Sequence, residues 1–131
     1  MISYQTLMEQ AIEARENSYS PYSGFKVGAA LLGESGKVYK GCNIENASYT
    51  PTNCAERTAF FKAVSEGEKN FLAIAIVGGE DELIPCYPCG VCRQVMAEFC
   101  DLKQFKVICG TAPEELEIFT LEELLPKSFQ L

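Results

Sequence analysis

The sequence predicts an α/β fold, a three-layer α/β/α sandwich on a mixed five-stranded sheet. Helix-like and strand-like segments alternate in the order α-β-β-α-β-α-β-β-α, which places helices on both faces of a sheet. Pro and Gly punctuate the segments where each must end. The link from Gly110 to Glu115 is too short for a parallel crossover, so the last two strands form an antiparallel pair.

Each element has its own signal. Tyr4 to Asn17 puts Leu7, Met8, Ala11, Ile12 and Ala14 on one helical face, with Ser3 as N-cap. Ser20-Pro21 and Gly24 end it. Phe25 to Leu32 reads as a strand, Gly33-Glu34-Ser35-Gly36 as a hairpin turn, and Lys37 to Ile44 as the returning strand. Thr52 or Asn53 can cap a helix from Cys54 to about Glu66, which Gly67 stops. Phe71 to Val77 is a buried strand bounded by Gly78-Gly79. Pro88 suits the first turn of a helix that runs to about Phe99. Phe105 to Cys109 and Leu116 to Phe119 are strands, and Thr120 caps a short helix, Leu121 to Leu125, stopped by Pro126.

A chain of 131 residues suits one domain spanning 1–131. Its 47% hydrophobic content can fill a core, which argues against disorder. The net charge of −7 repels phosphate backbones and anionic lipid, so nucleic acid and membranes are excluded as expected partners. A small neutral substrate fits better. Met1-Ile2-Ser3-Tyr4-Gln5 lacks the basic and apolar pattern of a targeting segment, and the run Leu72–Val77 is too short to span a bilayer. The expected location is therefore cytoplasmic, and the seven cysteines are expected as thiols. Histidine is absent. That removes Ser-His-Asp and Cys-His hydrolysis and every imidazole metal site. A proton carrier would be a carboxylate, and a soft metal would be held by cysteines.

Two fragments stand out, Cys54-Ala55-Glu56-Arg57 and Pro88-Cys89-Gly90-Val91-Cys92, each at an expected helix start. Cys89 and Cys92 are three apart and share a face, and helix N-termini favour thiolates. With Cys54 they make three sulfur ligands for one Zn²⁺, leaving a fourth position for water, as in catalytic rather than structural sites. Glu56 can stand beside that water as proton carrier without ligating the metal. Three thiolates outweigh the charge of Zn²⁺, and Arg57, on the face of Cys54, can withdraw part of the excess. A closed four-cysteine site with Cys86 is the plainer alternative, but Cys86 lies outside the helix that Pro88 starts. A redox Cys-x-x-Cys pair would be expected directly after a first strand. Cys42, Cys86, Cys100 and Cys109 read as small buried apolar residues.

The chain resembles the small cytidine deaminases. The matching stretches are Ser20-Pro-Tyr-Ser-Gly-Phe-Lys-Val-Gly-Ala-Ala-Leu31, Gly41-Cys-Asn-Ile-Glu-Asn-Ala-Ser-Tyr49, Cys54-Ala-Glu-Arg-Thr-Ala59, Pro88-Cys-Gly-Val-Cys-Arg-Gln94 and Leu124-Leu-Pro-x-x-Phe129. The resemblance implies hydrolysis of cytidine and deoxycytidine to uridine and deoxyuridine in pyrimidine salvage, with one Zn²⁺ per chain and a homotetramer with shared active sites. It implies Cys54, Cys89 and Cys92 as zinc ligands, Glu56 as general acid and base, and Arg57 as the charge-tuning residue. It implies the Ala55 N–H as donor to the pyrimidine O2, Asn43 and Glu45 on the ribose hydroxyl, and Phe25 against the base. Ala47 and Tyr49 would line the sugar pocket, in part across a subunit boundary, and Phe129 would reach a neighbouring subunit's site. On residue type alone Asn43 and Glu45 would be surface, Phe25 and Phe129 core, and Tyr49 a loop aromatic. Tyr87 and Val91 depart from the family's common Ser and Ala, which bears on substrate preference. Other readings are a deaminase of a related aminopyrimidine nucleoside, such as a nucleoside antibiotic, and a non-catalytic zinc-stapled binding domain.

Overall fold

Ser3 starts the first helix as expected, accepting the Thr6 N–H at 3.1 Å. The computed structural model describes residues 2–131. In it α1 (Tyr4–Arg15) buries Leu7, Met8, Ala11 and Ala14, while Ile12 is only half-buried at the margin. The helix ends before Asn17 because the chain tightens there: Asn17 and Ser18 donate to carbonyls three residues back. β1 (Lys26–Gly33) and β2 (Val38–Cys42) follow as the expected hairpin, its turn closed by Gly36 at φ +94°. Then come α2 (Ala55–Ser65), β3 (Phe71–Gly79), α3 (Gly90–Phe99), β4 (Lys106–Ala112), β5 (Glu115–Thr120) and α4 (Leu121–Leu124), in the expected order.

Several expected boundaries move, among them β2, which ends at Cys42, and β4, which runs on to Ala112; three moves have a visible reason. Gly78 and Gly79 do not bound β3 but belong to it, since they pair with Val27 and Lys26. Neither Thr52 nor Asn53 caps α2; Cys54 itself holds the N-cap position. Pro88 lies just before α3, whose N-cap is Cys89. At α4 Thr120 and Glu123 form a reciprocal capping box.

The sheet order is β2-β1-β3-β4-β5, parallel between β3 and β4 and antiparallel elsewhere, including the β4–β5 pair expected from its short link. Both faces are apolar, as a sheet covered on both sides requires. Ala30, Leu32, Ala73, Ala75, Val77 and Ile108 pack under α1. Leu31, Ile74, Ile76 and Val107 face α2, α3 and α4 around Phe60, which meets Phe71 edge-on at 5.0 Å. Of the cysteines expected in the core, Cys100 and Cys109 are buried. Cys42, on the edge strand β2, and Cys86, in the loop before α3, are half-buried instead. No helix among the described residues is long and apolar enough to cross a membrane.

One topological fact positions the site. β2 and β3 are both antiparallel to β1, so they run the same way. Helices leaving their C-terminal ends must start on the same side of the sheet, where ligands of open α/β sheets bind. α2 rests so closely on β2 that a Cβ at Gly41 would overlap the Ala55 carbonyl oxygen and come within 2.6 Å of the Ala59 nitrogen. Gly41→Ala should therefore push the first turn of α2 outward and cost about 1–3 kcal/mol of stability. A fall in Tm followed by circular dichroism checks this; an unchanged Tm would mean that α2 can back away freely.

Candidate active site

The starts of α2 and α3 converge, and each brings a cysteine at the N-cap. Cys54 and Cys89 have extended backbone, at φ −74°, ψ 155° and φ −70°, ψ 169°, so their side chains stand in front of their helices. Cys92 follows in the first turn of α3 and is buried. The Sγ atoms of Cys54 and Cys89 are 3.9 Å apart, and those of Cys54, Cys89 and Cys92 all lie within 4.8 Å of one another. Tetrahedral zinc with sulfur at about 2.3 Å needs sulfurs about 3.8 Å apart, so the three thiols fit that ion. All seven cysteines are free thiols. Cys86 does not join the cluster, so the closed four-cysteine alternative has no fourth ligand.

The electrostatics of the cluster favour negative charge. The Arg57 Nη2 donates to Cys54 Sγ at 3.1 Å, and the Cys92 N–H points to Cys89 Sγ at 3.5 Å. A hydrogen bond from Cys92, aided by Arg57, holds the Cys54 thiol well below its ordinary pKa despite burial. The same Cys54 contact, together with burial, pushes Cys92 up. Burial opposes the charge of Arg57, but the cysteine sulfurs outweigh it and raise the guanidinium. Its Nε is buried with no hydrogen-bond partner among the described residues. Glu56 is the only buried charged side chain among the described residues, at 4% exposure. Burial is the main cause that pushes it up to about 7, with the nearby Cys54 adding to the effect.

The residues expected to bind substrate are placed less compactly. Ala55 is fully buried at the first position of α2, where its N–H has no intrahelical partner. Phe25 is half-buried, its ring against Gly78 beside Cys86. Asn43 works as a latch. Its Oδ1 accepts from the Val27 N–H at 2.9 Å and from the Ser18 hydroxyl, and its Nδ2 donates to the Phe25 carbonyl at 2.8 Å. Glu45 accepts the Tyr22 and Ser23 N–H groups at 2.9 and 3.1 Å and also the Ser23 hydroxyl, which keeps its carboxyl below the ordinary range. Glu45 and Tyr49 line a cavity of about 360 Å³ with Tyr22, Ser23 and Thr52. Ala47 is exposed in the loop between them. Tyr49 is 71% exposed and meets Tyr22 edge-on at 6.2 Å. Phe129 is 66% exposed, and its carbonyl accepts from Gln94 of α3. The structure thus unites Cys54, Glu56, Arg57, Cys89 and Cys92, gathers Glu45 and Tyr49 separately, and leaves Phe129 on the surface. Tyr22 and Ser23 had no expected role, although they stand inside the first stretch of the resemblance.

The chain is similar to known proteins in sequence and fold. A family model described as the cytidine and deoxycytidylate deaminase zinc-binding region matches residues 1–110. The chain is 54% identical over 125 residues to the cytidine deaminase of Halalkalibacterium halodurans, covering 95% of this chain and 92% of that one. It is 44% identical over 130 residues to a probable cytidine deaminase of Dictyostelium discoideum, covering 95% and 85% of the two. The crystal structure of a cytidine deaminase from Burkholderia pseudomallei superposes with a TM-score of 0.88 at 45% identity, covering 98% of this chain and 100% of that one.

The three sulfurs meet only as a set, so Cys54→Ser, Cys89→Ser and Cys92→Ser should each lower zinc well below one ion per chain. Metal analysis of the dialysed protein checks this, and full occupancy in any of the three would remove that residue from the ligand set.

Proposed function

The chain belongs to the zinc-binding cytidine and deoxycytidylate deaminase family, and from this we propose that it hydrolyses cytidine and deoxycytidine to uridine and deoxyuridine with release of ammonia. The observation that carries the reading is a buried carboxylate, Glu56, beside three thiols of zinc-site geometry. A carboxylate withdrawn from water costs stability, and a zinc-stapled binding domain would have no use for one there.

Cys54, Cys89 and Cys92 would hold the zinc. When bound, the ion supplies Lewis acidity that brings the pKa of a water in its fourth position down toward neutrality. Glu56 takes a proton from the attacking water and passes it to N3 of the pyrimidine as the C4–O bond forms. The proton of the new C4 hydroxyl then travels through the same carboxyl to the exocyclic amine, the C4–N bond breaks, and ammonia leaves. One water and one cytidine give one uridine and one ammonia, and Glu56 returns to its starting state. Arg57, through its contact with Cys54, offsets the excess negative charge of three thiolates.

Recognition follows from hydrogen-bond capacity. The free Ala55 N–H would meet the pyrimidine O2. Asn43 spends one of its two Nδ2–H donors on Phe25, which leaves one for a ribose hydroxyl. Glu45 accepts three bonds with two oxygens that can take about four, which leaves one acceptor site for the same hydroxyl. Phe25 would pack against the base, with Ala47 and Tyr49 along the sugar. Among the described residues no lysine or arginine lines the cavity beside Glu45, and a carboxylate there would repel phosphate, which supports nucleosides over nucleotides as substrates. The large exposed aromatics Tyr49 and Phe129 suit a homotetramer in which Phe129 reaches a neighbour's site and neighbouring copies complete each pocket. In the same reading residues 1–131 form one catalytic domain that works in pyrimidine salvage in the cytoplasm.

Purified protein with one zinc per chain should consume cytidine and deoxycytidine, followed by loss of cytidine absorbance, and leave the 5′-monophosphates largely untouched. Inactivity on both nucleosides at full zinc would overturn the proposal. Glu56→Gln should keep its zinc and lose roughly 10²–10⁴-fold in kcat; a fully active variant would remove Glu56 from the chemistry.

A further inference from the structure

We infer that Arg93 is a positioning residue for the ligand Cys89, acting through the backbone in front of it. This rests on the reading of Cys89 as a zinc ligand. Cys89 is the exposed member of the thiol cluster, and the segment that delivers it is held by side chains, the Tyr87 hydroxyl donating to Glu117 at 2.6 Å and its ring meeting Phe119 edge-on, rather than by its backbone. Pro85 and Pro88 carry no N–H. Among the described residues, 85–88 take part in no backbone–backbone hydrogen bond; the last before them is Ile84 N–H to the Gly78 carbonyl, and the next is Arg93 N–H to the Cys89 carbonyl.

The half-buried Arg93 side chain supplies the missing bond. Its Nε donates to the Pro88 carbonyl at 2.8 Å, and its Nη1 donates to the Leu124 carbonyl at 2.7 Å. One guanidinium therefore clamps the peptide that enters Cys89 to the end of α4. The far anchor is firm, because Leu121 of α4 is fully buried and Thr120 and Glu123 close the capping box. Fixing the Pro88 carbonyl fixes the Pro88–Cys89 peptide plane, and with it the direction of the Cys89 side chain. The planar fork is what spans two carbonyls; a single ammonium cannot hold both in the same geometry. The cluster then has two arginines with separate tasks. The Arg57 side chain touches a sulfur directly, whereas the Arg93 guanidinium bonds the Pro88 and Leu124 carbonyls and orients one of the ligands.

Arg93→Lys tests this in the holoenzyme. Groups that orient metal ligands are typically worth 10–100-fold in metal affinity. Zinc release to a chromophoric chelator should therefore quicken on the order of 10–100-fold. In the cobalt-substituted protein the thiolate-to-metal absorption should weaken or shift. Thr120→Ala is the control, since it loosens α4 without touching Pro88. If Arg93 acted only by stabilising α4, Thr120→Ala at matched loss of Tm would release zinc equally fast, and the inference would fall. It would fall also if Arg93→Lys released zinc at the native rate with an unchanged cobalt spectrum. A Cys89→Ser protein that keeps its zinc would sink the ligand reading itself, which is a distinct result from either.

Discussion

Two helix N-termini must face one small volume, and nearly everything else in the site depends on that. The constraint comes from the sheet: β2 and β3 run in the same direction on either side of β1, so α2 and α3 begin at the same edge. Each helix start brings partial positive charge and unpaired N–H groups. Thiolates in the N-cap positions answer both. The glycine at 41 lets α2 lie close enough to the sheet for its cap to meet that of α3. The backbone thus builds an anion site first, and the cysteines turn it into a metal site.

A chain without histidine has to solve a charge problem. Imidazole ligands would leave zinc with net positive charge, whereas three thiolates over-neutralise it and weaken its acidity. The helix ends and Arg57 act in the same direction, drawing charge away from sulfur. Glu56 has the opposite need. In its proposed role it carries a proton beside an anionic cluster, and burial, which pushes it up to about 7, suits that role. The guanidinium and the carboxyl are adjacent in sequence, yet one contacts a sulfur and the other is sealed from water.

The parts that were legible in the sequence are those set by short-range rules. Element order, the antiparallel β4–β5 pair and the Thr120 cap follow from periodicity, link length and capping chemistry. The thiol cluster with Glu56 and Arg57 follows from spacing at helix starts. The misplaced helix starts share one cause. Thr52, Asn53 and Pro88 were assigned by general cap preferences, but the cysteines themselves occupy the N-caps, since that is how their sulfurs reach the shared volume. Cys42 and Cys86 read as core because a lone cysteine gives no sign of whether it lies on an edge strand. The Asn43 contacts and the Arg93 bond to Leu124 were not legible, because each joins groups distant in sequence.

The same structure separates chemistry from recognition. The thiols, Glu56 and Arg57 stand at or within the first turns of two helices of one chain. The aromatics assigned to the substrate lie on loops and on the tail, and the only non-glycine residues at positive φ among those described are Tyr49 at 63° and Lys127 at 56°. Bulky residues adopt that backbone at a cost, and the cost is tolerated where the surroundings or the function require it. Tyr49 is itself one of the assigned aromatics, and Lys127 is two residues from the other, Phe129. Both aromatics are largely exposed, at 71% and 66%, and Tyr49 meets its own chain mainly through an edge-on contact with Tyr22. An unfavourable backbone that holds an exposed ring outward is understandable if the ring's partner lies in another copy of the chain. In the proposed homotetramer each chain would supply its own thiols and Glu56 and lend Tyr49 and Phe129 to its neighbours.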